Sequence, residues 1–263
     1  MKIISCLIDF TDTSKIAIAY AAWLAKRESA AVNLLHIVDD DYSEKEVEEK
    51  LEYFTGITSM DVPFNISIGS GNYLKKIPKL LQLSDADFVV IGTHGTKGIF
   101  QSLFGANVVK LVQDIPVPAL VVQDNSPMPV PSIQNILFPV APHHDFDIKI
   151  EQTAHWAKLH KAEVDIFCLF KGESKLPEAI ATNLDESVNH FTTQGIKHNK
   201  VLRESKVYSV GYAKDILLYA KEKPFDLIAI MSQNSDENAY FGNVDKTNLI
   251  LNPAGIPVLC ISK

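Results

Sequence analysis

Residues 4–38 read ISCLIDFTDTSKIAIAYAAWLAKRESAAVNLLHIV. In order along the chain, this stretch holds an apolar strand, a polar turn, an amphipathic helix and a second apolar strand, which we place at Ile4–Ile8, Asp9–Thr13, near Ser14–Lys26 and at Val32–Val38. Short, nearly continuous apolar strands on either side of a helix are typical of a parallel sheet that helices cover on both faces. The stretch therefore predicts an α/β doubly wound fold.

The same order of elements returns in the second half of the chain. A strand at Ile136–Val140 opens the second copy, and Ala141 lies as far beyond Asp9 as Cys168 lies beyond His36. Because the spacing is the same, neither copy has an insertion, relative to the other, between its first and second strands. We therefore predict two tandem doubly wound parallel-sheet domains.

A proline-rich stretch separates the two copies. Gln123–Ser132 holds three prolines among polar residues, a composition that is typical of a semi-rigid linker. We place domain 1 at residues 1–125 and domain 2 at residues 133–263. Within domain 1, Pro78 removes one backbone donor from the helical pattern Tyr73–Leu83, so we expect a late helix start or a kink there.

The composition argues against several classes of protein. Lys and Arg number 25 against 32 Asp and Glu, for a net charge of −7, so the chain lacks the basic excess that nucleic-acid binding uses. No apolar run approaches the ~20 residues of a membrane span, and we expect a cytoplasmic protein. The three cysteines lie in apolar stretches without CxxC spacing, which predicts buried free thiols in a reducing compartment: Cys6, Cys168 and Cys260.

Glycines follow the fourth strand of the first copy, Phe88–Ile91, at the place where doubly wound sheets bind ligands. Glycines without Cβ let the backbone approach a ligand closely, and amides at a helix start point toward an anion. The pattern indicates a phosphate cradle, with ordinary turn glycines as the alternative. It is neither a Walker A loop nor a dinucleotide GxGxxG. The residues concerned are Gly92, Gly95, Gly105, Ala106 and Asn107.

Together with this loop, four other stretches make the chain resemble the universal stress protein (Usp) family over nearly its whole length, as two tandem domains. These stretches are Leu7–Thr11, Leu34–Ile37, Asp87–Gly92 and Pro116–Val122. The resemblance implies a Rossmann-like fold of the adenine nucleotide alpha hydrolase type. It also implies ATP or AMP as the ligand, with or without Mg²⁺, and a role as a sensor or regulator in the stress response.

The resemblance also implies a role for each site residue. Asp9 would accept a hydrogen bond from the adenine amino group, and the backbone of Ile37 would face the edge of the base. Gly92 would border the ribose. The phosphates would be held by the rest of the loop, which comprises Gly95, Gly105 and the amides of Ala106 and Asn107.

Two of these assignments have a qualification in the sequence itself. Ala106 stands where the family has Ser or Thr, and the lost hydroxyl should weaken phosphate binding without abolishing it. Asp9 has an alternative interpretation as a residue that starts the following helix, ahead of Thr11. His94 lies inside the loop, but the sequence offers it no catalytic partner nearby.

The second copy has lost the signature of the loop. Ala141 replaces Asp9, and Met231 replaces Gly92, so we expect no family-type nucleotide binding there and a structural role instead. A polar cluster near its first strand indicates either a metal site or a polar turn with Asp145 as helix N-cap. The cluster comprises His143, His144, Asp145, Asp147, His155 and His160.

Several functions remain open at this point. The first is a nucleotide-binding regulator with its nucleotide in domain 1 only, an unidentified protein partner and at most weak ATP hydrolysis. The second is a nucleotide-free interaction module with a disused glycine loop. Because each copy ends in an edge-like strand, we also expect Ala119–Val122 and Val258–Ile261 to pair in an internal pseudo-dimer, with a homodimer as a further option.

Overall fold

Strands and helices alternate along the chain in the computed structural model, which describes residues 1–38, 44–56, 60–94, 107–129, 132–170, 176–204, 212–235 and 243–262. The contacts divide the chain into two units. Unit 1 is built mainly from Met1–Pro129 and Pro253–Gly255, and unit 2 mainly from Val130–Asn252 and Ile256–Ile261.

Unit 1 contains five parallel strands in the order β3-β2-β1-β4-β5. Its strands are β1 Ile3–Leu7, β2 Ala31–Val38, β3 Phe64–Ser70, β4 Phe88–Thr93 and β5 Ala119–Gln123. Its helices are α1 Asp12–Glu28, α2 Glu44–Thr55, α3 Tyr73–Leu83 and α4 Val108–Asp114. The chain runs outward from β1 in one direction and from β4 in the other, so the topological switch point lies between these two strands.

Unit 2 follows the same plan, with the order β8-β7-β6-β9-β10 and parallel pairing. Its strands are β6 Asn135–Pro139, β7 Glu163–Phe170, β8 His198–Glu204, β9 Leu227–Met231 and β10 Val258–Ile261. Its helices are α5 Phe146–His160, α6 Glu178–Thr193, α7 Ala213–Tyr219 and α8 Asn243–Ile250. The switch point of unit 2 lies between β6 and β9. The predicted α/β doubly wound fold is confirmed.

The strands on either side of each switch point are apolar because they are buried in the interior of their unit. The central strands β4 and β9 are buried along nearly their whole length, because helices cover both faces of the sheet. Helix α1 packs on this sheet with an alanine-rich face, from Ala17 to Ala25. Small side chains allow the helix to lie close to the strands.

The three cysteines are buried and form no disulfide, as predicted. Burial raises the pKa of the Cys168 thiol to about 11 and that of the Cys260 thiol to about 12, and it also raises the pKa of Cys6. These side chains therefore stay protonated near neutral pH and act as small apolar groups.

Helix α3 corrects one of the two alternatives that we predicted for it, the late start. It does not start late: it begins at Tyr73, five residues before Pro78. The Asn72 side chain accepts a hydrogen bond from the Lys75 amide, and Ile77 and Leu81 are buried. The N-cap and the buried face stabilise the helix despite the donor that Pro78 lacks.

Among the described helices, none combines the length and the apolar character that crossing a membrane requires. The pairing that we predicted between Ala119–Val122 and Val258–Ile261 stays a prediction.

Candidate functional site

The carboxyl ends of β1 and β4 meet at the switch point of unit 1. Leu7 pairs with Ile91 in register, so Asp9 and the segment from Gly92 to His94 follow neighbouring strands at the same edge of the sheet. Ligands of open α/β sheets bind at such an edge. The structure thus places two parts of the predicted site, Asp9 and Gly92, on adjacent strands.

Asp9 is half-buried and is held by the start of α1. Its Oδ1 accepts hydrogen bonds from the Thr11 amide at 3.2 Å, from the Thr11 hydroxyl at 2.6 Å and from the Ser14 hydroxyl at 2.8 Å. Its own amide donates to Ser14 Oγ at 3.1 Å. A carboxylate in this position also gains from the positive end of the helix dipole. These contacts fix the orientation of the carboxylate, and they are the contacts that the helix-start interpretation of Asp9 requires.

Gly92 has a steric reason to be glycine. A Cβ atom at this position would lie 3.0 Å from both Cγ2 and the carbonyl oxygen of Thr13, in the first turn of α1. Glycine therefore lets the end of β4 pack directly against α1. The Thr13 hydroxyl also lies 2.9 Å from Nδ1 of His94, which joins the same two elements and gives His94 a structural contact.

Aromatic side chains form the β2 side of the site. Phe10 adopts a left-handed conformation with φ of 60°, and its ring centroid lies 4.4 Å from that of His36 and 5.6 Å from that of Phe54. Nδ1 of His36 lies 2.7 Å from the carbonyl oxygen of Ile8, to which it donates. A bulky residue with positive φ is costly and marks a backbone that its surroundings hold in place.

Ile37 lies near the carboxyl end of β2 and pairs with Gly69 of β3. The whole residue is buried. Thr93 ends β4 and is fully buried, and within the described ranges its hydroxyl has no hydrogen-bond partner. A polar atom in that state is a candidate ligand contact.

The phosphate half of the predicted site lies mostly outside the described residues, which leave out Gly95, Gly105 and Ala106. Asn107 is described and precedes α4. Its side chain makes no capping bond but donates from Nδ2 to the Tyr73 hydroxyl at 2.8 Å. This contact ties the start of α4 to α3.

In unit 2 the corresponding edge carries no carboxylate at the position of Asp9, since Ala141 is there and is buried. Asp145 occupies the N-cap of α5 without a side-chain capping bond, whereas His143 stacks on Phe146 and His160 packs against Trp156. In the part of the chain that is described, no group of His, Cys, Asp and Glu could hold a metal ion.

Sequence reasoning did not single out several residues of the unit 1 site. Ser14 and Thr13 fall in an ordinary helix start. In the sequence, only the mostly hydrophilic run from Asp9 onward indicates that their side chains are buried. The positive φ of Phe10 leaves no signal in a residue type that rarely adopts it. Tyr73 contacts Asn107 across a long sequence separation, which no local pattern reveals.

Comparison with known proteins shows which family and which solved structures this chain is similar to. Residues 1–55 match the model of the Universal stress protein family, and no curated protein matches the chain. A universal stress protein from Archaeoglobus fulgidus DSM 4304 has 15% identity and a TM-score of 0.75, covering 99% of this chain and 96% of its own. A putative universal stress protein from Pseudomonas aeruginosa UCBPP-PA14 has 14% identity and a TM-score of 0.67, covering 100% of this chain and 93% of its own.

The same fold also occurs outside that family. The cytoplasmic domain of a prokaryotic cation chloride cotransporter has 9% identity and a TM-score of 0.51, covering 98% of this chain and 94% of its own. At such identities the likeness shows the fold alone. The chain is thus a doubly wound α/β protein with its candidate site at the β1–β4 switch point. Its resemblance to the universal stress protein family, drawn from the sequence, is confirmed by the family match over residues 1–55, and the solved structures show that the same fold extends over the whole chain.

Proposed function

We propose that unit 1 binds an adenine nucleotide, ATP or AMP, at the carboxyl ends of β1 and β4, and that the chain acts as a nucleotide-responsive regulator in a stress response. The observation that carries the proposal is the Asp9 carboxylate, held by three hydrogen bonds at the switch point of the sheet. A carboxylate accepts hydrogen bonds only, so it suits the amino group of adenine.

Two further features support a nucleotide at this edge. The buried Thr93 hydroxyl is a polar group without a hydrogen-bond partner in the described chain, next to Gly92. The tilted rings of Phe10 and His36 supply apolar surface beside Asp9. In unit 2, Ala141 removes the acceptor and Met231 adds a buried side chain in place of Gly92, so we place the nucleotide in unit 1 only.

A specific observation favours the second candidate, a nucleotide-free interaction module. The contacts of Asp9 with Thr11 and Ser14, and the packing of Gly92 on Thr13, account for these residues without any ligand. On this alternative, the residues serve only the start of α1. The two candidates differ in whether the Asp9 carboxylate contributes to binding.

Calorimetric titration of the full chain with ATP and AMP, with and without Mg²⁺, separates the two. Asp9→Asn keeps an acceptor oxygen for α1 but loses the charge, and we expect nucleotide affinity to fall about tenfold or more, the scale of a charge-assisted hydrogen bond. Asp12→Asn is the matched control, because Asp12 is exposed and pairs with Lys15 at the same helix start. An affinity that both variants leave unchanged would favour the module. We expect at most slow ATP hydrolysis, measured as phosphate release.

A further inference from the structure

Two lysines of unit 2 are buried at the carboxyl edge of its own sheet, the edge that corresponds to the candidate site in unit 1. Lys149, in the first turns of α5, is 2% exposed, and Lys246 of α8 is 1% exposed. The ammonium of Lys149 donates to the carbonyl oxygen of Pro139, the last residue of β6. That of Lys246 donates to the carbonyl oxygen of Gln233, two residues beyond β9. Both ammonium groups therefore lie at the carboxyl ends of the strands that flank the switch point.

The charge of these lysines is poorly compensated. Over the described ranges, neither forms an ion pair within 4.0 Å. The Nζ atom of Lys149 lies instead over the rings of Phe138 and Phe146, at 4.2 Å and 4.9 Å from their centroids. Ring faces and carbonyl oxygens attract a cation but do not neutralise it.

The charge of one described carboxylate acts on Lys246 without forming an ion pair with it. Asp245 raises the pKa of Lys246 through its charge, but its Oδ1 accepts a hydrogen bond from the Ala213 amide at 3.0 Å. Burial lowers the pKa of Lys246 to about 8, and burial together with the charge of Lys246 lowers the pKa of Lys149 well below its usual value. Burial thus makes the charged form of both lysines costly, and an anion in contact with both ammonium groups would favour that form.

The polar groups around the lysines fit an oxyanion. An ammonium has three donors, so Lys149 keeps donors beyond its bond to Pro139. Lys246 donates to the carbonyl oxygen of Gln233 and to Oδ1 of Asn234, the latter at 3.3 Å, and keeps one further donor. Ser232 follows β9 directly, is fully buried, and has no partner for its hydroxyl among the described residues. A phosphate group combines high negative charge with several acceptor oxygens, which matches these donors.

We propose that unit 2 binds a phosphate group at the carboxyl ends of β6 and β9, with Lys149, Lys246 and Ser232 as its donors. The site lies in the unit that has lost the adenine acceptor and is independent of the nucleotide proposed for unit 1. Free phosphate and the phosphate group of a small metabolite share the chemistry that these residues recognise.

The test is calorimetric titration of the full chain with inorganic phosphate at neutral pH and constant ionic strength. We expect wild-type protein to bind phosphate, and Lys149→Met and Lys246→Met each to weaken the binding at least tenfold. Lys158→Met, an exposed lysine on the same helix α5, serves as the matched control and should leave the affinity unchanged. Ribose 5-phosphate is the second titrant. A higher affinity for it than for inorganic phosphate indicates the phosphate group of a metabolite as the ligand, and a lower affinity indicates free phosphate.

Because a buried lysine variant can fail to fold, Ser232→Ala supplies a milder change. It removes one hydroxyl from a buried position, and we expect phosphate affinity to fall severalfold while circular dichroism stays that of wild type. Wild-type protein that does not bind phosphate overturns the proposal. Phosphate binding that survives the Lys149, Lys246 and Ser232 variants also overturns it. A third contradicting outcome is phosphate binding that ATP displaces and Asp9→Asn abolishes, since the anion would then lie in unit 1.

Discussion

Units 1 and 2 have the same strand order but opposite charge at the edge where their central strands end. Unit 1 places the carboxylate of Asp9 there, whereas unit 2 has Ala141 at that position. Unit 2 instead buries the ammonium groups of Lys149 and Lys246, and the position of Lys149 is taken in unit 1 by the small Ala17. The comparison teaches that one fold can present chemically opposite sites, so function has to be argued for each unit from its own residues.

The second strand of each unit shows a similar contrast. In unit 1, the buried Asn33 of β2 bonds to the hydroxyls of Ser5 and Ser67, a neutral network across β1, β2 and β3. In unit 2 the matching residue is Asp165 of β7, which is buried. Its carboxylate accepts from Asn199 at 2.8 Å, Tyr219 at 2.7 Å and Lys223 at 3.0 Å.

The largest effect that we predict comes from this contrast. Asp165→Ala leaves the Tyr219 hydroxyl without its acceptor and leaves Lys223 with only the longer contact to Glu163, at 3.5 Å. We expect it to lower the free energy of unfolding by about 3 kcal/mol or more. Asn33→Ala removes only neutral hydrogen bonds and should cost about 1–2 kcal/mol. Urea denaturation measures both values. Equal losses for the two variants would mean that the charged network of unit 2 contributes no more than the neutral one.

A second prediction concerns pH. Burial lowers the pKa of Lys246 to about 8 in the folded chain, against an ordinary 10.5, and outweighs the opposing charge of Asp245. Between these values the unfolded chain binds more protons than the folded chain, so this lysine makes stability rise with pH across that window. Lys149, whose pKa is also lowered, acts in the same direction.

We therefore expect wild-type protein to gain up to about 3 kcal/mol more stability than Lys246→Met between pH 8 and pH 10.5, in phosphate-free buffer. Chemical denaturation at a series of pH values measures the difference. Curves that stay parallel for wild type and variant would show that Lys246 has an ordinary pKa in the folded chain.

The contrast between Gly92 and Met231 predicts a smaller effect. Gly92→Ala places a Cβ 3.0 Å from Thr13, so β4 and α1 must move apart, and we expect a loss of about 1–2 kcal/mol. Gly56→Ala is the control, because its Cβ would meet Tyr53 at an ordinary 3.5 Å. Thermal or urea unfolding that ranks the two variants equally would contradict the close packing of β4 on α1.

These examples show which features a sequence can predict. Continuous apolar strands such as those around Cys6 and Val90 indicate burial on both faces, and from that pattern the parallel sheet and the position of its candidate site follow. A buried lysine leaves no such signal, since lysine in a helix is nearly always at the surface. Lys149 and Lys246 are therefore visible only once α5 and α8 are packed on the sheet. The late helix start that we predicted from Pro78 is wrong for the converse reason, since tertiary packing outweighed a local preference.

Ala106→Ser is expected to strengthen nucleotide binding in unit 1. A hydroxyl at this position would donate to a phosphate oxygen, and we expect ATP affinity to rise by about five- to a hundredfold, on the scale of ~1–3 kcal/mol for a charge-assisted hydrogen bond. Calorimetry measures the change, and Ala220→Ser in unit 2 is the control. An unchanged affinity would mean that the phosphates of ATP do not reach residue 106.

The decisive measurement is the stoichiometry of AMP binding to the full chain, because we propose that the adenine nucleotide binds in unit 1 only. Calorimetry should give one AMP per chain for wild type, the same value for Lys246→Met, and an affinity lowered about tenfold or more for Asp9→Asn. Two nucleotides per chain, or one that Asp9→Asn leaves undiminished while Lys246→Met removes it, would place a nucleotide in unit 2 and refute the proposal.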